Sequence, residues 1–218
     1  MRSHIIIKTA GAAAFIVALL ISLTGCAQKP VADTVVWQQQ LNLPSVKYSA
    51  EVAERLWLNI EEISFNWLDQ SRDRVVPALL FKPARQQHAK ALIVFSHGLG
   101  GSKDGYSYIG RYLAQNGVAS LHLQHVGSDR SVWSVPFYAI PYQLKKAARD
   151  EEAIDRAKDF QFGLSQLLNL APYAQSIDPQ QIVAAGHSYG ANTTLLVSGA
   201  IVERNGLVVS LQDPRVKM

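Results

Sequence analysis

Two rhythms of apolar and polar residues run along the chain. From Ile60 to Leu68 the alternation Ile63, Phe65, Trp67 has period two, and Arg74 to Phe81 carries Val75, Val76, Ala78, Leu79 and Leu80. Both stretches read as strands. The polar Asp69-Gln-Ser-Arg-Asp73 joins them as a hairpin, and Pro83 closes the second. Ala91-Leu-Ile-Val-Phe95 is a continuous apolar run, which suits a central parallel strand buried on both faces. The next segment predicts a helix with Tyr108, Ile109, Tyr112 and Leu113 on its inner face, stopped by Asn116-Gly117. Val118 to Leu123 predicts another strand. A long helix around Ala148 to Leu170 buries Ile154, Ala157, Phe160, Leu164, Leu167 and Leu168, with Glu152 and Arg156 paired on its outside. Asp178-Pro179 leads into a short buried strand, Ile182 to Ala185, and a small-residue helix, Ala191 to Val202. Strands alternating with helices predict an α/β fold, a mostly parallel sheet with helices on both faces.

The first 25 residues have a different pattern. Met1-Arg2-Ser3-His4 and Lys8 make a positive start, and Thr9 to Leu23 is an apolar run too short for a membrane span of about 20 residues. It ends in Leu23-Thr24-Gly25-Cys26, which resembles a bacterial lipobox, where the cysteine becomes the lipidated first residue. Residues 1–25 are thus expected to be a lipoprotein signal peptide and Cys26 the membrane anchor; an ordinary secretory signal or an anchor helix is the competing reading. Ala27 after the cysteine, by resemblance to Gram-negative lipoproteins, implies the outer membrane, facing the periplasm. Residues 26–58 read as a polar tether with Pro30 and Pro44 and a short helix over Ala50 to Leu58, and residues 59–218 as the folded domain. Cys26 is the only cysteine, so no intrachain disulfide is possible. Arg2 and Lys8 lie in the leader, which holds no acid, so the net charge of +4 falls to +2 without it. With no later basic cluster, nothing points to nucleic acid.

The chemistry centres on Gly186-His187-Ser188-Tyr189-Gly190, between the buried strand and the small-residue helix. G-x-S-x-G in that setting is a nucleophile elbow: a sharp turn lifts the Ser188 hydroxyl above the sheet, and a side chain at Gly186 or Gly190 would collide with neighbouring backbone. An ordinary glycine-rich turn is the plainer reading, and a second motif argues against it. An acyl-transfer nucleophile needs donors for an oxyanion. The N–H of Tyr189 is one, and His97-Gly98-Leu99-Gly100-Gly101, which follows the central strand, offers the N–H of Leu99 as the other. That loop fits neither phosphate-binding pattern, since no Gly-Lys-Ser/Thr closes it and Lys103 stands where G-x-G-x-x-G needs a third glycine. No metal or organic cofactor is expected. His122, His125 and Asp129 lack a further ligand at suitable spacing; they read as one core and one loop-ordering histidine near an acid. The aromatic stretch Trp133 to Tyr142 either borders the site or packs over the sheet edge.

Taken together, Val94-Phe-Ser-His-Gly-Leu-Gly-Gly101, Gly105-Tyr-Ser-Tyr-Ile-Gly110, His125-Val-Gly-Ser-Asp129 and Gly186-His-Ser-Tyr-Gly190 resemble the platelet-activating factor acetylhydrolase and dienelactone-hydrolase-like branch of the α/β-hydrolases. The resemblance runs from about Ile60 to the C-terminus. It implies a serine esterase for short or oxidised acyl esters, phospholipid esters among them; dienelactone hydrolases use a cysteine where this chain has Ser188. It also implies an acid and a histidine downstream of the nucleophile. Residues 189–218 hold no histidine, and Asp213 matches a strand-start position rather than the triad acid. The expectation is therefore an incomplete domain whose final strands and helices are missing, inactive or nearly so by itself. His187 beside the nucleophile and His97 in the loop are weaker candidates for the base. The rival from another class is a non-catalytic lipid-anchored lipoprotein that binds a lipid or a protein through a hydrolase-like domain.

Overall fold

The computed structural model describes residues 60–84, 89–204 and 206–217. The expected signal peptide, Cys26, the expected tether, the helix expected over Ala50 to Leu58, and His88 lie outside the described residues. Five strands form the sheet: β1 (Ile60–Asp69), β2 (Arg74–Pro83), β3 (Leu92–Ser96), β4 (Ala119–Leu123) and β5 (Ile182–Gly186). Their order is β1-β2-β4-β3-β5. β2 runs antiparallel to β1 and β4, while β3 pairs parallel with β4 and β5, so β2 alone opposes the other four. The hairpin turns through Asp73, whose φ of 47° is left-handed. Among the described residues there are five α-helices, in chain order α1 (Ser107–Gln115), α2 (Ile140–Ala147), α3 (Asp150–Asn169), α4 (Ala171–Ala174) and α5 (Tyr189–Val197). A short ribbon, β6 (Val202–Arg204) with β7 (Leu207–Val209), lies after α5. Among the described residues no helix is long and apolar enough to cross a membrane.

The period-two pattern sorts the strands onto two faces. Val76, Ala78, Leu80, Leu92, Val94, Leu121, Leu123 and Ile182 turn toward α3 and α5, where Ala157, Phe160, Leu164, Leu167, Leu196 and Val197 complete the main core. Leu79 and Phe81 turn the other way, toward Ala114 of α1. The sheet is covered on both faces, as the alternation of elements predicts.

Two helix faces differ from expectation. On α1 the buried residues are Gly110 and Ala114, while Tyr108 and Tyr112 are about two-thirds exposed, at 67% and 66%. The cause is close approach: a methyl on Gly110 would come within 2.3 Å of the Phe81 ring, so the smallest residues and not the most apolar face the sheet. On α3 the Glu152–Arg156 pair is not on the outside. Arg156 is fully buried and Glu152 half-buried. The expected stripe is present, but the buried face is wider and includes Arg156 and Asp159.

Candidate active site

The elbow forms where β5 gives way to α5. Ser188 holds φ 53°, ψ −115°, a region that L-residues with a side chain rarely adopt, and its side chain is exposed. The surroundings over-determine this strain. The His187 N–H donates to Ser96 C=O (3.2 Å), the Gly190 N–H to His187 C=O (2.8 Å) and the Ala191 N–H to Ser188 C=O (2.9 Å). The two glycines are packing requirements. A Cβ on Gly186 would sit 2.4 Å from the Gly190 backbone, and one on Gly190 would sit 1.9 Å from Ser96 O.

The loop after β3 comes alongside. A methyl on Gly98 would lie 3.4 Å from Ser188 Cβ, so Gly98 and Ser188 are neighbours. The orientation of the Gly98–Leu99 peptide follows from its hydrogen bonds. The Gly98 carbonyl accepts from the Gly101 N–H (3.0 Å) and from His97 Nδ1–H (2.7 Å). His97 Nε2 accepts the His125 N–H (3.1 Å), which fixes the tautomer with its proton on Nδ1. In a planar trans peptide the N–H points opposite to the C=O, so pinning the carbonyl aims the Leu99 N–H away from the loop's interior. Among the described residues neither the Leu99 N–H nor the Tyr189 N–H has a hydrogen-bond partner. Two unpaired donors beside a strained, exposed serine are what an oxyanion hole requires.

The histidines take other duties. Burial, with the Arg156 charge nearby, lowers the His97 pKa to about 4, so it is neutral and serves to order the loop. His122 is buried on the α1 face, stacked on Phe95 at 5.0 Å, with Ser120 Oγ 3.1 Å from its Nε2. His187 is exposed, with Nδ1 2.7 Å from the Tyr106 hydroxyl. His125 is fully buried: its Nδ1–H donates to Asp159 Oδ2 (3.1 Å) and its Nε2 accepts from Ser96 Oγ (3.0 Å). Burial first and the Arg156 charge second lower its pKa to about 3. Asp159 in turn accepts from Arg72 and Arg74 at 2.8–3.0 Å. His122, His125 and Asp129 do not converge, and among the described residues no group of three His, Cys, Asp or Glu side chains could hold a metal.

Asp213 is buried and closed by Arg215 at 2.6 Å, and its N–H donates to Val197 C=O. Val197 is the last residue of α5 and Ser188 precedes its first, a separation of roughly 13 Å at 1.5 Å per residue. Asp213 is therefore remote from Ser188, and it turns without forming a strand of its own. The Lys217 N–H does reach Ile182 C=O on the outer side of β5 (2.8 Å), one rung of the kind a neighbouring strand would make. Trp133 borders the site, donating from Nε1 to Gly100 C=O (2.9 Å), whereas Phe137, Tyr138 and Tyr142 are exposed. Of the residues singled out in the sequence, Ser188, Leu99, Tyr189, Gly186 and Gly190 come together at the β5–α5 turn and the loop after β3. The Ser96–His125–Asp159 chain and the inward Arg156 were missed; the polar residues recurring along the inner edge of the α3 stripe were the available signal.

The order β1-β2-β4-β3-β5, with a serine elbow after β5 and a glycine loop after β3, defines a chain of the α/β-hydrolase class. The family model for platelet-activating factor acetylhydrolase, isoform II, matches residues 30–158, more than half of the chain, and the protein belongs to that family. The match ends before the elbow. A platelet-activating factor acetylhydrolase of Canis lupus familiaris is 28% identical over an alignment of 151 residues that covers 55% of this chain and 34% of that protein, so the chain spans about a third of that relative's length. Similar solved structures include a cold-adapted esterase from an Arctic intertidal metagenomic library (19% identity, TM-score 0.47, 63% of this chain and 55% of that one). Another is a dienelactone hydrolase from Anabaena variabilis (16%, TM-score 0.46, 63% and 56%).

Proposed function

We propose that this chain carries the nucleophile and oxyanion hole of a serine carboxylic-ester hydrolase, with short or oxidised acyl esters of phospholipids as its substrate class. The observation that carries this reading is the pairing of Ser188, strained at φ 53° and exposed, with the partnerless N–H groups of Leu99 and Tyr189. Ser188 Oγ attacks the ester carbonyl. A base takes its proton, and the carbonyl oxygen becomes an oxyanion between the two N–H groups, further stabilised by the N-terminal end of α5. Collapse expels the alcohol and leaves an acyl-Ser188, which water then hydrolyses by the same route.

No imidazole among the described residues is hydrogen-bonded to Ser188, so the base and its orienting acid lie outside them in this proposal. Turnover by the 218 residues alone is accordingly weak: without base and acid, an oxyanion hole retains about 10³–10⁴-fold acceleration over water. Cys26, as a lipidated anchor on the outer membrane, would hold the domain beside its lipid substrate in the periplasm. Two experiments test the proposal. A fluorophosphonate should label Ser188 of the full-length protein and leave Ser188→Ala unlabelled; an unlabelled full-length wild-type protein favours the non-catalytic binding lipoprotein instead. Reading the coding sequence past the Met218 codon should show a strand ending in Asp and a later loop bearing His. A stop codon there would exclude a triad built in the family's manner.

A further inference from the structure

The two oxyanion donors come from loops some ninety positions apart, yet one buried side chain touches the supports of both. Arg156, in the middle of α3, donates from Nε to Thr193 Oγ1 (3.0 Å), from Nη1 to Ser128 Oγ (2.8 Å) and from Nη2 to the His97 carbonyl, a short contact. Its guanidinium also lies over the Tyr189 ring, 4.6 Å from the centroid. Thr193 and Tyr189 belong to the elbow helix. The His97 carbonyl belongs to the peptide immediately before Gly98. Ser128 extends the reach of the third contact, because its own carbonyl accepts the Gly100 N–H (2.8 Å), just beyond Leu99. The Leu99 loop is thus held on both flanks by groups that meet at one cation.

We infer that Arg156 is a positioning residue that clamps the loop of the Leu99 donor to the helix of the Tyr189 donor and so sets the width of the oxyanion hole. The inference rests on the reading of Ser188 as the nucleophile. Arginine suits the task because a rigid planar fork satisfies three acceptors in different directions while its face stacks on an aromatic ring, and a lysine ammonium cannot do both. Arg156 hydrogen-bonds to Thr193, Ser128 and the His97 carbonyl and not to Ser188, so it is a positioning residue and not a catalytic one.

The test combines two readouts on the full-length protein: fluorophosphonate labelling of Ser188, resolved into maximal rate and half-saturating probe concentration, and amide hydrogen exchange. Arg156→Met should lower the maximal labelling rate about 10²-fold, as expected for donors displaced by about an ångström. The half-saturating concentration should stay within about threefold. Exchange at Gly100 should quicken at least about tenfold while the Val94 and Leu121 amides of the sheet keep their protection. Arg156→Lys should fall between. A merely structural arginine would loosen sheet and loop together and leave the labelling rate of the folded fraction unchanged; that result overturns the clamp. Should Arg156→Met fail to fold, Thr193→Val and Ser128→Ala each remove one contact, and a folded pair with unaltered rate and unaltered Gly100 exchange also overturns it. A wild-type protein that resists labelling counts against the nucleophile instead, and Gly100 exchange then decides the clamp by itself.

Discussion

The protein holds two serine centres, one above the sheet and one inside it, and they are opposites. Ser96 belongs to a Ser96–His125–Asp159 chain in which each side chain is hydrogen-bonded to the next and all three are at most 1% exposed. Ser188 has no bonded histidine among the described residues, sits in a strained turn and faces solvent. By connectivity alone the first looks like a catalytic triad and the second does not. The difference is in what surrounds them. Around Ser96 each side chain of the chain already has its partner and all three are closed off from solvent, so no substrate could enter. Around Ser188 two N–H groups are unspent and the backbone carries strain, the arrangement that favours a transition state over a resting structure. The buried chain contributes rigidity, because His125 also offers the N–H that fixes His97 and through it the Gly98–Leu99 peptide.

The sharpest way to break this comparison is to remove each hydroxyl. Ser188→Ala should abolish probe labelling and lower ester hydrolysis by the full-length protein by about 10³-fold or more, whereas Ser96→Ala should stay within about tenfold of wild type. Labelling that survived the first change or vanished with the second would reverse the assignment. Next in size is stability. Asp159→Ala leaves Arg72, Arg74 and His125 facing an empty position, and urea titration should show a loss of about 3–5 kcal/mol. Ser188→Gly should instead gain about 1 kcal/mol as the turn relaxes.

Acid should separate the centres further. The folded pKa values of His97 and His122 (about 4) and His125 (about 3) lie below the ordinary 6.5, because burial penalises the imidazolium. The unfolded chain therefore binds more protons between those values. The contribution of these residues to stability is complete above pH 6.5 and is lost as pH falls toward 3–4. Glu152 has the opposite sign. Burial raises its pKa to about 7 from 4.5, so its contribution is present below 4.5 and is lost as pH rises through 7. Urea midpoints measured from pH 4 to 8 should pass through a maximum, and Glu152→Gln should remove the decline on its alkaline side and steepen the rise on its acid side, because the Glu152 contribution already falls from pH 4.5 upward. An unchanged alkaline limb would place the titrating group elsewhere.

The strands, their hairpin and the elbow were legible in the sequence because apolar periodicity and glycine placement carry them directly. The inward turn of Arg156 was not. Helical periodicity assigns a charged residue at the margin of a stripe to solvent, and only the acceptors contributed by Thr193, Ser128 and His97, all distant in sequence, make its burial tolerable. The inner face of α1 misled for a different reason: the Phe81 ring selects for smallness at Gly110, and size leaves no trace in a hydrophobicity pattern. His125 could be placed near a strand end, but its partner Asp159 lies 34 residues on, on α3, and only the packing of that helix against β4 brings them together.

The glycines of this fold also predict the outcome of a suppressor screen. At Gly110 the obstacle to a methyl group is a side chain, so a smaller residue at Phe81 should rescue Gly110→Ala, and such double mutants should be recoverable. At Gly186 and Gly190 the obstacles are main-chain atoms of Gly190 and Ser96, which no codon change can shrink. Alleles at those two positions should therefore have no compensating partner within the gene and revert only to glycine itself.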